Sequence, residues 1–346
     1  MNVHLLNPLS DTRWDALVAR HPRATAFHQR GWLEALARTY GYEPFVLTSA
    51  ASGEPLKDGV VLCRISSWLT GTRLVSLPFA DHCDPLWNDS NEAQTFSKWL
   101  REENDRNHWK YVELRPLTAA ENGGDSFRPS RSYWYHELDL TPSFENLFGH
   151  LHYNSFRRKI RRAGREHITY EVGNTDRLLE EFYRLQLLTR RRHQLLPQPR
   201  TWFNNLAECM GKNMEIRVAR KNGISVAAML SLRHGSNVVF KYGCSDATAH
   251  SLGGMPFLFW KLIEESKNSG AEKIDFGRSD TDQEGLILFK DRLGTHKKLL
   301  TYYRYANSQA AHLATMSDSL AVHAFSSVMP DSVLSVAGRL LYRHIG

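Results

Sequence analysis

The spacing of hydrophobic residues predicts the same series of elements twice along the chain. The first series has a helix over Gln29–Thr39, strands near Phe45–Thr48, Val60–Ile65 and Arg73–Leu77, a helix over Asn91–Arg106 and a strand over Lys110–Leu114. The second has a helix over Thr175–Arg192, strands near Glu215–Arg220, Ser225–Arg233 and Asn237–Tyr242, a helix over Pro256–Asn268, a strand over Lys273–Phe276, a short helix over Gly285–Arg292 and a strand over Lys298–Tyr305. An Asn222-Gly223 pair is typical of a hairpin turn. The pattern therefore predicts one mixed α/β unit used twice.

The segment from Ala119 to Ser130 is rich in Asn, Gly, Ser and Pro, which is typical of a domain boundary. A length of 346 residues also suits two domains better than one. We therefore predict an N-terminal half over residues 1–125, a C-terminal half over residues 126–305 and a helical tail over residues 306–346. In the tail, an amphipathic pattern from Asp331 to Ile345 predicts a helix that docks on the body of the protein rather than on a membrane.

The balance of charge favours an anionic partner. The sequence has 44 Lys and Arg residues against 37 Asp and Glu residues, a net charge of +7. A CoA pyrophosphate, a tRNA backbone, a nucleotide-sugar and a membrane surface all suit that sign. No apolar run approaches the roughly 20 residues that span a bilayer. The polar segment Met1–Arg13 is not expected to be a signal peptide, and we expect a cytoplasmic protein.

The cysteines do not have the spacing of a metal site. The four are far apart and form no CxxC pair: Cys63, Cys83, Cys209 and Cys244. The run Asp81–Asp84, DHCD, has the composition of metal ligands, but adjacent residues rarely converge on one ion. We therefore predict no metal, and we expect this loop to line the cleft between the halves.

A dense group of arginines lies between the halves, in His152–His167. Phe156, Ile160 and Ala163 fall on one helical stripe, and basic residues cover the rest of the helix: Arg157, Arg158, Lys159, Arg161, Arg162 and Arg165. A solvated helix face explains this pattern as well as an anion-binding helix does. In the second interpretation, Arg157, Arg158 and Arg161 bind the substrate.

A strand, a glycine-bearing turn and a helix follow one another between Val238 and Pro256. Free backbone N–H groups and the dipole at the start of such a helix can hold a phosphate or carboxylate. Gly253 and Gly254 stand at that turn, with His250 three residues before the first of them. A purely structural turn also explains the two glycines.

Polar residues crowd the carboxyl end of the next strand, in the run DFGRSD from Asp275 to Asp280. Ligands of open α/β sheets usually bind at this end of a strand. Asp275, Asp280 and Glu284 are candidate acceptors for the proton that an attacking amine must lose. Arg278 can hold a carboxylate or phosphate, or it can form a salt bridge with Asp275.

These motifs resemble the Fem-type transferases of the GNAT superfamily, from about His21 to Tyr305. The resemblance is carried by DFGRSD, the following EGL, the FK pair at Phe289 and Lys290, the LG after it and the closing YYRY. The runs YGCSD, SLPFADHCDPLW and FRRKIRRA agree with it. The compact chain, which lacks a coiled-coil arm, is most similar to relatives associated with exopolysaccharide and PEP-CTERM systems.

The resemblance implies a tandem GNAT-like double domain and a role for several residues. GNAT enzymes hold the CoA pyrophosphate at a turn such as that of His250, Gly253 and Gly254. The FK pair implies that Lys290 lies near the developing oxyanion and that Phe289 shapes the wall of the site, although an exposed helix lysine is the alternative. Tyr242 and Phe240 would line the acceptor groove.

The function that these features imply is N-acyl transfer from acyl-CoA to an amine on a cell-envelope or exopolysaccharide precursor, in the cytoplasm or at the inner face of the membrane. An aminoacyl-tRNA donor, as in enzymes that build peptidoglycan bridges, is one alternative. A non-catalytic module that binds an anionic polymer is another. The sequence contains no GxSxG, Walker A, GxGxxG or HExxH motif that would indicate different chemistry.

Overall fold

The computed structural model describes residues 2–118, 126–306 and 341–344. The chain divides into two compact units. Of the described residues, the first unit contains those up to 133 together with 299–306 and 341–344, and the second contains 134–298.

Residues 2–118 of the first unit form short strands and longer helices. In chain order these elements are β1 (His4–Leu6), α1 (Thr12–Arg20), α2 (Arg30–Tyr40), β2 (Glu43–Thr48), β3 (Val60–Ile65), β4 (Arg73–Val75), α3 (Ser90–Asn107) and β5 (Val112–Leu114). A short 3-10 helix, Ala26–His28, precedes α2. The helices and strands predicted for this region from the sequence are confirmed to within a few residues.

The sheet of the first unit has the strand order β1-β2-β3-β4-β5, followed by the last strand of the chain, β12 (His296–Tyr305). Strands β2, β3 and β4 are antiparallel, and β4 runs parallel to β5 with Leu74 opposite Val112. A parallel pair needs a crossover connection, and α3 supplies it. The helix packs on the sheet through buried residues such as Phe96 and Leu100.

Longer elements follow in the second unit, and the first of them begins at residue 128, six residues before the unit itself. They are β6 (Arg128–Asp139), α4 (Phe144–His150), α5 (Arg158–Arg165), β7 (Thr169–Gly173), α6 (Asp176–Arg192), α7 (Arg200–Met210), β8 (Met214–Lys221), β9 (Ile224–His234), β10 (Asn237–Ser245), α8 (Gly254–Asn268), β11 (Lys273–Asp280) and α9 (Glu284–Asp291). A π-helical turn, Tyr153–Arg157, leads into α5, and a 3-10 helix, Ala247–Leu252, precedes α8.

The sheet of the second unit has the order β6-β11-β10-β9-β8-β7. Strands β8, β9 and β10 form antiparallel hairpins, and β10 runs parallel to β11 across the crossover helix α8. Asn222 and Gly223, with φ angles of 51° and 79°, make the predicted turn between β8 and β9. Both residues have the positive φ that a two-residue hairpin of this type requires.

Helices cover both faces of the central strands in the second unit. Residues Ser225–Leu232 of β9 are buried without interruption, as happens when neither face of a strand meets solvent. Helices α6 and α8 both pack on β8, β9 and β10. Phe259 and Leu262 of α8 belong to the main core of the unit.

The two units repeat one arrangement: an antiparallel series of strands, then a parallel pair joined by a helix. In the first unit this is β2-β3-β4-α3-β5, and in the second it is β8-β9-β10-α8-β11. The prediction of one mixed α/β unit used twice is therefore confirmed.

Most of the predicted C-terminal helix, from Asp331 to residue 340, lies outside the described residues. Residues 341–344 form a helical turn within the first unit. The Tyr42 hydroxyl donates a hydrogen bond to the Tyr342 carbonyl oxygen at 2.6 Å, and Arg73 Nη2 donates to that of His344 at 2.8 Å. Within the described ranges, no helix is both long and apolar enough to cross a bilayer.

Candidate active site in the second unit

A cavity of about 410 Å³ opens at the start of α8. Its polar lining includes Ser155, Lys159, His250 and Arg292, and its apolar lining includes Val226, Ala227, Met255 and Phe289. None of its lining residues is acidic. The cavity can therefore accept a ligand that has both an anionic part and an apolar part.

The turn before α8 requires glycine at position 253. Gly253 has a φ of +81°, and a Cβ atom built on it would lie 2.4 Å from the Lys159 carbonyl oxygen. Real side chains do not tolerate that distance, so the turn can approach the π-helical turn and α5 only without a side chain. Gly254 then begins the helix against Val226 and Ala227 of β9.

The start of α8 has no acidic side chain to satisfy its backbone N–H groups. Its first turn contains no acidic residue, and Gly253 provides no side-chain cap. The corresponding helix of the first unit, α3, differs: Asp89 Oδ1 accepts hydrogen bonds from the N–H groups of Asn91 and Glu92, at 2.8 and 2.9 Å. The carboxylates at the start of α3 would repel a phosphate, whereas the N–H groups at the start of α8, which no side chain caps, could bind it.

The electrostatic surroundings of His250 also favour an anion. Its Nε2 lies 2.9 Å from Ser245 Oγ. Partial burial lowers the pKa of His250, and the nearby positive charges of Arg192 and Lys159 lower it further, whereas Asp246 opposes them. Charges that disfavour a second cation stabilise a bound anion by the same interaction.

Strands β10 and β11 pair only over their first residues. Asn237–Val239 lie opposite Lys273–Asp275, and both strands continue beyond these pairs. A separation between two parallel strands exposes backbone groups of both, which a bound ligand can use. The carboxyl ends of β10 and β11 therefore form the part of the unit where the predicted reactive residues lie.

A bulge in β10 separates the two aromatic residues that the sequence placed in one groove. The register shifts between Phe240 and Tyr242, so these residues do not share a face as residues two apart usually do. Phe240 packs against Phe259 of α8, with ring centroids 4.9 Å apart. Tyr242 packs against Phe203 of α7, and its hydroxyl accepts a hydrogen bond from Trp202 Nε1 at 3.0 Å.

Lys290 is buried in α9, and the alternative of an exposed helix lysine is therefore wrong. Only 5% of the residue is exposed. Its Nζ donates hydrogen bonds to the carbonyl oxygens of Arg278 and Gly277, at 2.8 and 3.2 Å. The ammonium group is thus held at the carboxyl end of β11, while the neighbouring Phe289 lines the cavity at the start of α8.

The three candidate carboxylates occupy different surroundings. Asp275 is buried, and its Oδ1 accepts a hydrogen bond from the Gly277 N–H at 2.6 Å. Asp280 and Glu284 are exposed, at the end of β11 and the start of α9. Arg278, which lies between Asp275 and Asp280 in the sequence, is half-buried. Only the exposed pair can exchange a proton directly with solvent.

His136 of β6 is a buried residue that the sequence did not single out. Its Nδ1 lies 3.3 Å from Thr295 Oγ1, and this hydroxyl donates to the Lys290 carbonyl oxygen at 2.9 Å. Burial, aided by the positive charge of Lys290, lowers the pKa of His136 to about 4. Its Nε2 has no hydrogen-bond partner within the described part of the chain. A single histidine among the aromatic residues of a strand gives no sequence pattern from which its burial near Lys290 could be predicted.

The arginine-rich segment has the helical stripe that its sequence predicts. Phe156 and Ala163 are fully buried, and Ile160 is half-buried. Arg158 and Arg161 are exposed, whereas Arg157 is half-buried with its guanidinium 5.4 Å from the Tyr153 ring centroid. The π-helical turn before α5 is a form that is often found at functional sites.

The DHCD loop lies in the interior of the first unit. His82, Cys83 and Asp84 are all buried. Asp84 Oδ1 accepts a hydrogen bond from the Leu117 N–H at 2.7 Å, and Cys83 Sγ lies 3.3 Å from His28 Nε2. Among the residues for which positions are given, no group of three or more potential ligands is arranged to hold a metal ion.

Comparison with known families identifies the class of the second unit. Residues 152–285 match the family described as an acetyltransferase (GNAT) domain. This range contains the turn at Gly253, helix α8 and the strands β10 and β11. Residues 152–285 are therefore similar to a GNAT domain, and the protein is an acyltransferase. No curated protein matches the sequence.

Solved structures show the same fold over nearly the whole chain. The crystal structure of FemX has a TM-score of 0.72 at 14% identity and covers 91% of this chain and 99% of its own. The C-terminal domain of a putative lysylphosphatidylglycerol synthetase from Agrobacterium fabrum has a TM-score of 0.61 at 16% identity, with coverages of 89% and 95%. A tandem GNAT protein from the clavulanic acid biosynthesis pathway has a TM-score of 0.52 at 12% identity, with coverages of 88% and 98%. The fold is therefore Fem-like and tandem GNAT-like.

Proposed function

We propose that the protein transfers an acyl group from acyl-CoA to an amine on a cell-envelope or exopolysaccharide precursor. The observation that carries this proposal is the cavity at the start of α8, named the donor cavity from here on, where backbone N–H groups without a side-chain cap and basic side chains adjoin an apolar wall. A CoA thioester has the matching parts, because its pyrophosphate is anionic and its acyl arm is apolar. We further propose that the reaction takes place in the cytoplasm, at or near the inner face of the membrane.

In this proposal the donor is held by residues of the second unit. The Gly253 N–H donates to the His250 carbonyl oxygen at 3.3 Å, so the Gly253 turn leaves the Gly254 N–H to bind the pyrophosphate. Lys159 and His250 would bind the same group, and Phe289 would contact the acyl arm. The amine nitrogen forms a bond to the thioester carbonyl carbon, the carbon–sulfur bond breaks, and the amine loses a proton while the thiolate gains one. Direct attack needs no covalent enzyme intermediate.

The ammonium of Lys290 would stabilise the negative charge that develops on the carbonyl oxygen. Its burial supports this role, because an electrostatic interaction is stronger where water is excluded. Asp280 and Glu284 are exposed and would accept the proton of the amine directly or through water, whereas Asp275 accepts the Gly277 N–H and so orients the backbone of β11 beside Lys290. Tyr242 and Arg278 would contact the acceptor from β10 and β11, whereas Phe240, on the other side of the bulge, supports the site by packing against Phe259 of α8.

An aminoacyl-tRNA is the second candidate donor. Arg158 and Arg161 of α5 are exposed, as are Arg162 and Arg165, and such a row can follow a nucleic-acid backbone. The lysine that shapes the Gly253 turn, Lys159, lies in the same helix. A tRNA would therefore reach the donor cavity from the arginine-rich side of α5.

Calorimetric titration and turnover with an amine panel distinguish the candidates. We expect acetyl-CoA or a longer acyl-CoA to bind with one site per chain, because the start of α3 is capped by carboxylates. Release of CoA should depend on the amine. Binding of charged tRNA alone would assign aminoacyl transfer. Salt-dependent binding of anionic polymers without turnover of either donor would contradict the proposal and favour a binding module.

A further inference from the structure

The first unit contains a second cavity that the acyl-transfer chemistry does not use. Its volume is about 860 Å³, about twice that of the donor cavity. It is bounded by β1 and the turn after it, by β2, and by the end of α3. Cavities of roughly 300–1,000 Å³ are the size that binds small ligands.

The walls of this cavity are mainly apolar and aromatic. Phe45, Trp99 and Trp109 are half-buried side chains that pack against the core of the first unit and also line the cavity. Leu5 lies at its edge with 58% of its surface exposed, and Leu9 follows in the next turn. When a hydrophobic ligand covers an apolar surface that is open to water in this way, the free energy of the system falls.

The charged residues of the lining are neutralised by protein partners. Arg64 forms a salt bridge with Glu43, so these two charges cancel at the rim. Glu103 forms a salt bridge with Arg106 and also accepts a hydrogen bond from Asn107 Nδ2 at 2.9 Å. Because each of these charges already has a partner, a charged ligand buried here would lose hydration without gaining an ion pair.

We propose that this cavity binds the hydrocarbon chain of a lipid, with the polar head left outside. A hydrocarbon chain has no polar group to leave unsatisfied, and the aromatic and leucine side chains make up most of the surface that it would contact. The site lies in the first unit and is separate from the donor cavity. It gives the protein a means to hold a lipid-linked molecule that is independent of its acyl-transfer chemistry.

Tryptophan quenching tests this proposal, because Trp99 and Trp109 line the cavity. The full-length protein is titrated with stearate brominated at mid-chain, below the concentration at which the probe forms micelles, and with ordinary stearate as a reference. Bromine quenches tryptophan only at short range. We expect saturable quenching by the brominated chain, and a clearly smaller amplitude in the Trp99→Phe/Trp109→Phe double variant, which keeps the aromatic walls.

Two matched helix variants separate this cavity from nonspecific binding. Ala37→Leu adds a side chain to the lining, and Ala207→Leu makes the same change at a half-buried position of α7 in the second unit. We expect Ala37→Leu to raise the dissociation constant about tenfold and Ala207→Leu to leave it unchanged. CoA in excess should not displace the probe.

Three results would overturn the proposal. They are quenching that rises without saturation, an undiminished amplitude in the double tryptophan variant, and displacement by CoA, which would place the chain in the donor cavity. If Ala37→Leu does not fold, the double variant and the CoA competition still decide the question. A protein without acyl-transfer activity can still bind the chain, so failure of this proposal and failure of the proposed function are distinguishable.

Discussion

The Nζ atom of Lys290 lies 2.8 Å from the carbonyl oxygen of Arg278 and donates a hydrogen bond to it. A second hydrogen bond, to the Gly277 carbonyl oxygen, fixes the same ammonium at the end of β11. An ammonium group has three donors, and it can therefore join this strand end and still act on a reacting oxygen. The position of Lys290 links the stability of the strand end to the proposed chemistry.

Lys290→Met should separate these two contributions. We expect turnover to fall about 100-fold, as when a single oxyanion donor is removed. The free energy of unfolding should fall by about 1–3 kcal/mol, because buried carbonyl oxygens lose a donor. The affinity for acyl-CoA should change little.

The exposed Lys297, which pairs with Asp291 at 2.8 Å, provides the control. Lys297→Met should leave turnover near that of the unaltered protein. A Lys290→Met variant that is less stable but equally fast would show that Lys290 is only a structural residue.

His136 should make the second unit less stable in acid. Its pKa is about 4 in the folded protein, against 6.5 for an ordinary histidine, so the unfolded chain binds a proton that the folded chain does not between these values. Stability should therefore fall as the pH is lowered from 7 to 4, by up to about 3 kcal/mol from this group. Urea unfolding at a series of pH values measures the effect.

His136→Gln should remove this part of the pH dependence, whatever it does to stability at pH 7. The exposed residue His296 is the control, and His296→Gln should keep the slope of the unaltered protein. Equal slopes in all three proteins would show that His136 titrates normally.

Donor binding should be coupled to proton uptake by His250. Arg192 and Lys159 help to hold its pKa down, and a bound pyrophosphate would offset their charges and raise that pKa. The affinity for CoA should therefore increase as the pH falls from 8 to 6. Calorimetry in buffers of different ionisation enthalpy measures the uptake directly, and His250→Gln should abolish it. Undiminished uptake in that variant would assign the proton to another group.

Much of the fold could be predicted from the sequence because hydrophobic residues recur at regular spacing in most elements. The strand Val60–Ile65 and the helices α3, α6 and α8 were predicted to within two residues at each end. The short strands β1 and β7 were not predicted, since a three- to five-residue strand has too few positions to show alternation. Helix α7 was also not predicted, because it begins directly after two prolines, Pro197 and Pro199, that interrupt the helical pattern.

The site was less predictable than the fold, since its geometry depends on tertiary contacts. The glycine turn before α8 has a local signature, and the structure gives its reason in the close approach of Lys159. The bulge that separates Phe240 from Tyr242 has no comparable signature. The burial of Lys290 and His136 follows from how α9 and β6 pack, which a single sequence does not reveal.

The binding of acetyl-CoA by two glycine variants tests the central claim most directly. Gly253→Ala places a methyl group 2.4 Å from the Lys159 carbonyl oxygen, whereas Gly270, with a similar φ of +76°, has open space around its missing Cβ. Both variants carry the same backbone strain, and only Gly253→Ala disturbs the donor turn. By calorimetry, we predict that Gly253→Ala weakens binding at least about tenfold and that Gly270→Ala leaves it unchanged. Equal affinities in the two variants would contradict the assignment of the donor site to the start of α8.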